Sequence, residues 1–233
     1  MSRAASGRAD GQPGKSGKSA GAARIAHPAK TGKTGGAPGA PAPVSGEVRI
    51  IGGQWKRTRL PVADKPGLRP TPDRVRETLF NWLGQDLGGW RCLDAFAGTG
   101  ALGLEAASRG AASVLLVESD AALAAQLRRH VQRLQASQQQ VSIRRGDGLQ
   151  ALQGAAAASL ELVFIDPPYA QQDSFAPALR SAARALAPGG FIYLEAGQAW
   201  EPAALAALGL ALHRHLKAGA VHAHLLQAAP DAG

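Results

Sequence analysis

An aspartate, two prolines and a tyrosine follow a predicted buried strand in the stretch FIDPPYAQQ, residues 164–172. The apolar run Leu160–Ile165 predicts the strand, and it must end at Asp166 because neither proline can donate a hydrogen bond to a sheet. A turn explains the prolines but requires neither a carboxylate nor a ring. The Asp166 side chain and the rigid Pro167 carbonyl are acceptors suited to the two hydrogens of an amino group, and Tyr169 offers a ring on which a base can stack.

A glycine-rich turn precedes this stretch in LDAFAGTGALG, residues 93–103. Gly98, Gly100 and Gly103 form the pattern G-x-G-x-x-G between a predicted strand and a helix, and Glu118 ends the next strand about 20 residues further on. Glycines let the backbone approach a ligand, and a carboxylate at a strand end accepts hydrogen bonds from ribose hydroxyls. The pattern predicts an adenosine site, for a dinucleotide or for another adenosine-containing ligand.

Asp94 bears on which of these ligands fits. Its charge would repel a pyrophosphate at the neighbouring turn and attract a cation. S-adenosylmethionine (SAM) carries a sulfonium and an ammonium and no phosphate. Asp147, after the third strand, is a candidate acceptor for an adenine amino group, so Asp94, Glu118 and Asp147 predict an acidic rim at the carboxyl edge of a sheet, where open α/β sheets bind ligands.

A scaffold of alternating strands and helices is predicted to position these residues. Predicted strands are Arg91–Phe96, Ser113–Glu118, Val141–Arg145, Leu160–Asp166 and Phe191–Glu195, with helices at Ala101–Arg109, Ala121–Gln135, after Gly148, and at Phe175–Leu186. This alternation predicts an α/β, Rossmann-like fold with a mostly parallel, doubly wound sheet. Two strands around Gly219 predict a C-terminal antiparallel hairpin.

Upstream of this scaffold, the chain predicts a short N-terminal extension. VRIIGG and GQWKRTRLPV predict a strand pair, and Thr71 and Pro72 are the expected N-cap and first residue of a helix that Gly84 closes. The predicted organisation is a disordered basic tail (1–43), the strand pair and helix (44–84), the main α/β domain (85–228) and a flexible end (229–233).

Basic residues are concentrated in the first third of the chain. Residues 1–43 carry seven Lys or Arg against one Asp, and residues 49–76 carry eight against two, whereas the chain from Glu77 onward has eleven basic and thirteen acidic residues. The tail has almost no large apolar side chain and is expected to be disordered, with steering of a polyanion or solubility alone as its role. The candidate phosphate-docking residues in the second segment are Arg49, Lys56, Arg57, Arg59, Lys65 and Arg76.

The combined motifs resemble a known family. D-x-F-x-G-x-G followed by DPPY is similar to class I SAM-dependent methyltransferases that modify exocyclic amino groups. Longer stretches resemble the RsmD family of 16S ribosomal RNA guanine-N2 methyltransferases: RIIGGQWKRTRLPV, GLRPTPDRVRETLFNWL, CLDAFAGTGALGLEAASRGA and FIDPPYA. The resemblance covers about Val48 to Leu226. It implies transfer of a methyl group from SAM to one guanine of 16S rRNA, within the small ribosomal subunit or an assembly intermediate.

The resemblance also implies roles for individual residues. The target base is expected to meet Asp166, Pro167, Pro168 and Tyr169. The SAM methionine is expected to lie against Asp94, Phe96, Gly98 and Gly100, the ribose against Glu118, and the adenine against Asp147 and Gly148. The family's RPT-x-x-R segment, expected to close over the cofactor, corresponds here to Arg69, Thr71 and Arg74.

Other functions stay open at this stage. The same site would serve adenine N6 or cytosine N4 in DNA or another RNA. An NAD-dependent oxidoreductase would use the glycine turn and Glu118 but leaves Asp94 and DPPY unexplained, and a non-enzymatic RNA-binding module would leave the acidic pocket without a role. Methylation of a pyrimidine C5 requires a nucleophilic cysteine, and Cys92 lies in the first strand of the main domain.

Cysteine usage and apolar runs predict a cytoplasmic protein. The single cysteine excludes an internal disulfide, no apolar run reaches the ~20 residues that span a bilayer, and the N-terminus lacks the apolar part of a secretory signal. His213, His215, His222 and His224 depart from the family pattern. Each H-x-H pair would place two rings on one face of a strand, but exposed polar positions on an edge hairpin explain them better than zinc, so no metal is predicted. A monomer is the default expectation.

Overall fold

A computed structural model describes residues 44–63, 65, 68, 70–168 and 175–230. The predicted tail at 1–43, Arg69, Tyr169 and the last three residues of the predicted flexible end lie outside the described residues.

Strands and helices alternate through most of the described chain. The strands are β1 (Val44–Arg49), β2 (Arg59–Ala63), β3 (Arg91–Asp94), β4 (Ser113–Glu118), β5 (Val141–Arg145), β6 (Leu160–Ile165), β7 (Leu186–Ala196), β8 (Leu210–Ala218) and β9 (Val221–Ala228). The helices are α1 (Asp73–Leu83), α2 (Ala101–Ser108), α3 (Ala121–Arg133), α4 (Gly148–Gln153), α5 (Phe175–Ala185) and α6 (Pro202–Ala206).

Seven strands form one mixed sheet in the order β5-β4-β3-β6-β7-β9-β8. The strands β3 to β7 pair in parallel, β9 pairs antiparallel with β7, and β8 pairs antiparallel with β9. The order reverses between β3 and β6, so the carboxyl ends of these two strands open the crevice where such sheets bind ligands. The Rossmann-like fold and the C-terminal hairpin predicted from the sequence are confirmed.

Helices cover both faces of this sheet. One apolar cluster joins α1, α2 and α3 to one face, with Leu79, Leu104 and Leu127 fully buried. A second joins α4, α5 and α6 to the other face, with Leu152 and Leu179 fully buried. Burial on both faces explains why the central strands are continuous apolar runs rather than alternating ones.

The N-terminal extension packs into the first of these clusters. Strands β1 and β2 form an antiparallel hairpin, and Ile50, Leu60 and Phe80 are buried together with core residues of α2 and β4. The hairpin and α1 therefore share a core with the main sheet.

Several predicted boundaries are wrong. Strand β3 ends at Asp94 rather than Phe96 and α3 at Arg133 rather than Gln135, while α2, α5 and β6 each end one residue early. Helix α1 begins at Asp73 and Pro72 is its N-cap, because Pro72 has an extended ψ of 145° and Thr71 makes no side-chain cap. Strand β7 begins at Leu186 rather than Phe191, because Leu186 already pairs with Leu160 of β6. No helix among the described residues is long and apolar enough to cross a membrane.

Candidate active site

A cavity of about 790 Å³ lies at the carboxyl edge of the central strands. Its described lining includes the residues that follow β3, β4, β5 and β6, the end of β7, and the segment before α1. The predicted site residues in this lining are Asp94, Phe96, Gly98, Glu118, Asp147, Gly148, Asp166, Pro167, Pro168, Lys65 and Thr71. The fold therefore brings together side chains that the sequence separates by up to about a hundred residues.

The glycine-rich turn forms one wall of the cavity. Gly98 and Gly100 have φ angles of +51° and +80°, which side-chain-bearing residues rarely adopt. A Cβ on Gly100 would lie 2.6 Å from Leu127 Cδ2, and one on Gly103 would lie 2.3 Å from Leu116 Cδ2. Gly98 thus shapes the wall, whereas Gly100 and Gly103 allow α2 to pack closely on its neighbours.

Glu118 links the turn to the end of β4. The N–H of Gly98 donates to its Oε2 at 2.8 Å, and the N–H of Asp120 donates to its Oε1 at 2.7 Å. A carboxylate can accept about four hydrogen bonds, so Glu118 retains acceptor capacity toward the cavity.

Asp94 is the most deeply buried acid of the cavity, with 2% of its surface exposed. The Gly103 N–H donates to its Oδ2 at 3.0 Å. Burial raises the pKa of Asp94 to about 7, an effect that the Gly103 hydrogen bond opposes and the charge of Glu118 reinforces. No ion pair among the described residues involves Asp94, so within this part of the chain its ionised form has no counter-charge, which favours a cationic ligand.

Asp147 and Gly148 border the cavity at the end of β5. Asp147 is the N-cap of α4 and accepts a hydrogen bond from the Gln150 N–H at 2.8 Å. A Cβ on Gly148 would lie 2.1 Å from the Ala95 carbonyl oxygen and 2.9 Å from Phe96 Cε1. Close packing beside the cavity therefore requires glycine at position 148, independently of any ligand.

Asp166 and the two prolines follow β6 into the same cavity. Asp166 is half-buried, Pro167 is buried and Pro168 is exposed. Burial raises the pKa of Asp166 well above its usual value, and the nearby carboxylates of Glu195 and Asp94 raise it further. The site therefore favours hydrogen-bond donors or positive charge beside Asp166.

Glu195 is a cavity residue that the sequence analysis did not assign. It lies near the end of β7, is 8% exposed, and accepts a hydrogen bond from the Tyr193 hydroxyl at 2.8 Å. Burial raises its pKa, which hydrogen bonds from Tyr193 and Thr71 lower. The signal was present in the sequence, because IYLEAG also ends a buried strand with an acid.

The segment before α1 contributes only part of what the resemblance implied. Thr71 is buried and lines the cavity, and Pro70 and Pro72 lie beside it. Arg69 is outside the described residues, and Arg74 is exposed on α1 and absent from the described lining. Lys65 is at the rim, where it pairs with Asp120.

The predicted docking residues of the basic segment have different environments. Arg49 pairs with Asp73 at 2.9 Å and Arg59 with Glu47 at 3.1 Å, both at the surface. Lys56 and Arg57 are exposed in the loop after β1 and border a second cavity of about 530 Å³.

The assignment of Arg76 to phosphate docking is wrong. Arg76 is 1% exposed, and its guanidinium pairs with Glu105 at 3.4 Å and Asp73 at 2.6 Å. It also donates to the Arg49 and Thr71 carbonyl oxygens. Basic composition alone could not separate this buried residue from its exposed neighbours.

The C-terminal histidines do not occupy one exposed face. A β-bulge in β8 directs His213 onto the ring of Phe191, whereas His215 Nε2 lies 3.0 Å from His222 Nδ1 on the opposite face. His224 is fully buried, so its assignment as an exposed position is wrong.

Two backbone groups contact the ring nitrogens of the buried His224. The Trp200 N–H donates to His224 Nε2 at 3.2 Å, which leaves the proton on Nδ1, 3.4 Å from the Leu194 carbonyl oxygen. Burial lowers the pKa of His224 to about 4. Among the described residues, no group of three or more His, Cys, Asp or Glu side chains could hold a metal ion.

The strand order and the position of the cavity define a Rossmann-like α/β fold of the class I methyltransferase type. The model of a family described as Conserved hypothetical protein 95 matches residues 48–227, and the chain belongs to this family.

Individual relatives agree with this membership. Ribosomal RNA small subunit methyltransferase D of Escherichia coli (strain K12) is 50% identical over 125 residues, covering 54% of this chain and 62% of the relative. The protein of the same name from Haemophilus influenzae is 46% identical over 125 residues, covering 53% of this chain and 65% of the relative. The chain thus aligns with less than two thirds of each. The solved structure of yhhF from Escherichia coli is 37% identical with a TM-score of 0.67, covering 79% of this chain and 99% of that one. The resemblance to the RsmD family is confirmed.

Proposed function

We propose that the protein transfers the methyl group of SAM to the exocyclic N2 amino group of a guanine in 16S rRNA of the small ribosomal subunit, acting as a cytoplasmic monomer. The observation that carries this proposal is that Asp166 and Pro167 share one cavity with Asp94, Glu118 and Asp147. The names of the curated relatives support ribosomal RNA as the substrate.

The residues of the cavity fit SAM. Its sulfonium and ammonium would supply the positive charge that buried Asp94 lacks. The left-handed turn at Gly98 brings backbone rather than side chain to the cavity wall, and Glu118 can accept from ribose hydroxyls while holding that turn. Asp147 follows β5, and its carboxylate would accept a hydrogen bond from an adenine amino group bound at the end of that strand.

The end of β6 fits a planar amino group. When bound, SAM supplies an electrophilic methyl group. Asp166 and the Pro167 carbonyl oxygen accept hydrogen bonds from the two amino hydrogens, which turns the nitrogen lone pair out of the ring system and toward that methyl group. SAM would give up its methyl group to the nitrogen, and the electron pair of the broken C–S bond would stay on its sulfur. Asp166, whose pKa is raised, then accepts the proton that the nitrogen loses.

Substrate docking would involve the exposed basic residues outside the cavity. Lys56 and Arg57 are exposed and form no ion pair within the described part of the chain, whereas Arg49 and Arg59 would first have to exchange a surface ion pair. Phosphate contacts position the protein and do not select the base, so selection must occur in the cavity.

Labelled methyl transfer tests the proposal. The acceptors are small subunits that lack their own methylation, naked 16S rRNA and duplex DNA, each digested to nucleosides after reaction with methyl-labelled SAM. We expect label in N2-methylguanosine from the subunits. Label in an adenine or cytosine product would refute the proposed substrate, and no label from any acceptor would refute the proposed reaction.

A pair of variants on β6 tests the role of Asp166. Asp166→Ala should lower kcat by at least about 100-fold while SAM affinity stays within a few-fold, because its contacts form with the base. Glu161→Gln, at the opposite end of the same strand and paired with Arg91 at the surface, should retain the normal rate. A normal rate in Asp166→Ala would contradict the assigned role.

The alternatives find less support in this site. An NAD-dependent oxidoreductase would place a pyrophosphate beside Asp94, and a thermal-shift comparison of SAM with NAD distinguishes the two ligands. Methylation of C5 would need a thiolate, but Cys92 is buried in β3 and burial raises its pKa above the ordinary value.

A further inference from the structure

Glu195 and Asp166 lie side by side at the carboxyl ends of two neighbouring strands, β7 and β6. Strands β6 and β7 run parallel with Ile165 opposite Leu194, so Asp166 and Glu195 occupy the next position along the two strands. Side chains alternate along a strand, which places Asp166 and Glu195 on the same face as Phe164 and Tyr193. Both carboxyl groups line the same cavity.

The carboxyl group of Glu195 is held in a defined orientation. The Tyr193 hydroxyl donates to Glu195 Oε1 at 2.8 Å, and the Tyr193 ring is fully buried and packs edge-on against Phe164 at 6.2 Å. Because a carboxylate accepts about four hydrogen bonds, Tyr193 and Thr71 leave capacity for a further donor. Glu195 is therefore a positioned acceptor next to the proposed amine site.

Two neighbouring acceptors match the Watson–Crick edge of guanine. In guanine the N2 amino group is adjacent to N1–H, so two donors lie side by side. In adenine and cytosine the amino group is adjacent to a ring nitrogen that is itself an acceptor. A flipped base is commonly read by hydrogen bonds to this edge.

We propose that Glu195 selects guanine by accepting the N1–H hydrogen bond while Asp166 and Pro167 hold the N2 amino group. This inference rests on the proposed function. Adenine or cytosine in the same position would direct a ring-nitrogen lone pair at the Glu195 carboxylate and leave two acceptors facing each other in a buried site.

The electrostatics of the cavity agree with this role. The charge of Glu195 is the largest influence after burial on the pKa of Asp166, so the two carboxyl groups interact strongly. Hydrogen-bond donors between and beside them relieve that repulsion. Guanine offers donors to both groups, whereas the other amino-bearing bases offer donors to only one.

The test compares guanine with 2-aminopurine at the methylated nucleotide. 2-Aminopurine keeps the amino group at position 2 but has an acceptor at N1. Labelled transfer first locates the methylated nucleotide. Small subunits are then reconstituted with 16S rRNA into which a synthetic segment has been ligated, carrying either guanine or 2-aminopurine at that nucleotide. The full-length protein and the variant Glu195→Gln are compared by kcat/KM on both substrates.

We expect the unmodified protein to prefer guanine by about 10- to 100-fold, the range expected for one hydrogen bond to a charged group. In Glu195→Gln the amide can accept from N1–H or donate to an N1 acceptor, so this preference should fall to within about threefold. Part of this fall should come from a higher kcat/KM on 2-aminopurine. A damaged active site would instead lower kcat/KM on both substrates. Glu201→Gln, an exposed acid near the start of α6, should leave the preference unchanged.

A second variant covers the case in which Glu195→Gln is too unstable to assay. Tyr193→Phe keeps the buried ring but removes the hydroxyl that orients Glu195, so the guanine preference should fall by a smaller factor. An unchanged preference in both variants would overturn the role of Glu195 while leaving the proposed reaction intact. Failure of the unmodified protein to form N2-methylguanosine would instead refute the proposed function.

Discussion

Glu105 on α2 is the buried acid whose removal should most affect stability. It is fully buried, and its carboxylate accepts hydrogen bonds from the backbone N–H groups of Ile51 and Gly52, both at 2.7 Å. The same carboxylate pairs with Arg76 at 3.4 Å and with Arg109 at 2.8 Å. Glu105 therefore connects α2, which follows the glycine-rich turn, to α1 and to the loop after β1.

The variant Glu105→Gln preserves shape but removes the charge. Arg109, 3% exposed, would lose its ion-pair partner among the described residues, whereas Arg76, 1% exposed, would keep Asp73. The new amide NH₂ would also face the donors that Glu105 now accepts from. Loss of one partner from a buried ion pair costs about 3–5 kcal/mol because the remaining charge is left uncompensated. For a chain of this size that corresponds to a fall in Tm of about 10 °C.

Urea unfolding at neutral pH, with Tm from thermal unfolding, measures this effect. The control is Glu161→Gln, because Arg91 and Glu161 form a shorter pair at 2.6 Å whose side chains are 48% and 25% exposed. That variant should lose less than about 1 kcal/mol. We expect burial of an ion pair, and not its distance, to determine how much stability its loss costs. This expectation is refuted if Glu105→Gln loses no more free energy of unfolding than Glu161→Gln.

Two further predictions concern strain and pH. Arg57 has a φ of +71°, so Arg57→Gly should leave the free energy of unfolding unchanged or raise it by about 1 kcal/mol. The same variant should weaken RNA binding and reduce its salt dependence, whereas Gln135→Gly, at a φ of +54°, should change stability only; unchanged RNA affinity in Arg57→Gly would contradict a docking role. The pKa of Asp94 is raised from 3.8 to about 7, so its contribution to stability is complete below about pH 4 and is lost as pH rises through 7. Asp94→Asn cannot ionise, so the ligand-free variant should lose less stability between pH 4 and 7 in urea titrations, and equal losses would show that Asp94 is not the group responsible.

Local patterns predicted the scaffold and much of the site. Strands β4 and β5 begin and end at the predicted residues, because the alternation of strand and helix patterns is a local property of the chain. The acids at the ends of β3, β4, β5 and β6 were predicted to converge, because the carboxyl ends of parallel strands share one edge. Asp94, Glu118, Asp147 and Asp166 all line the cavity there.

Local patterns could not predict contacts between distant residues. The basic segment around Arg76 predicts a surface residue. Arg76 is instead buried against Glu105, because the fold packs α2 against α1. The bulge in β8 that turns His213 away from His215 has no signature in the H-x-H pattern, because it depends on the register with β9.

The amino-acid sequence by itself determined the alternation of strands and helices, the glycine turn and the strand-end acids, since each depends on residues close together in the chain. The tertiary structure alone decided which charges are buried, which are paired and which share a cavity. It placed Glu195 beside Asp166 by pairing β6 with β7, and it raised the pKa of both acids by removing them from water. Burial and charge proximity depend on the whole fold, so the chemistry of this site depends on distances that no local stretch of sequence contains.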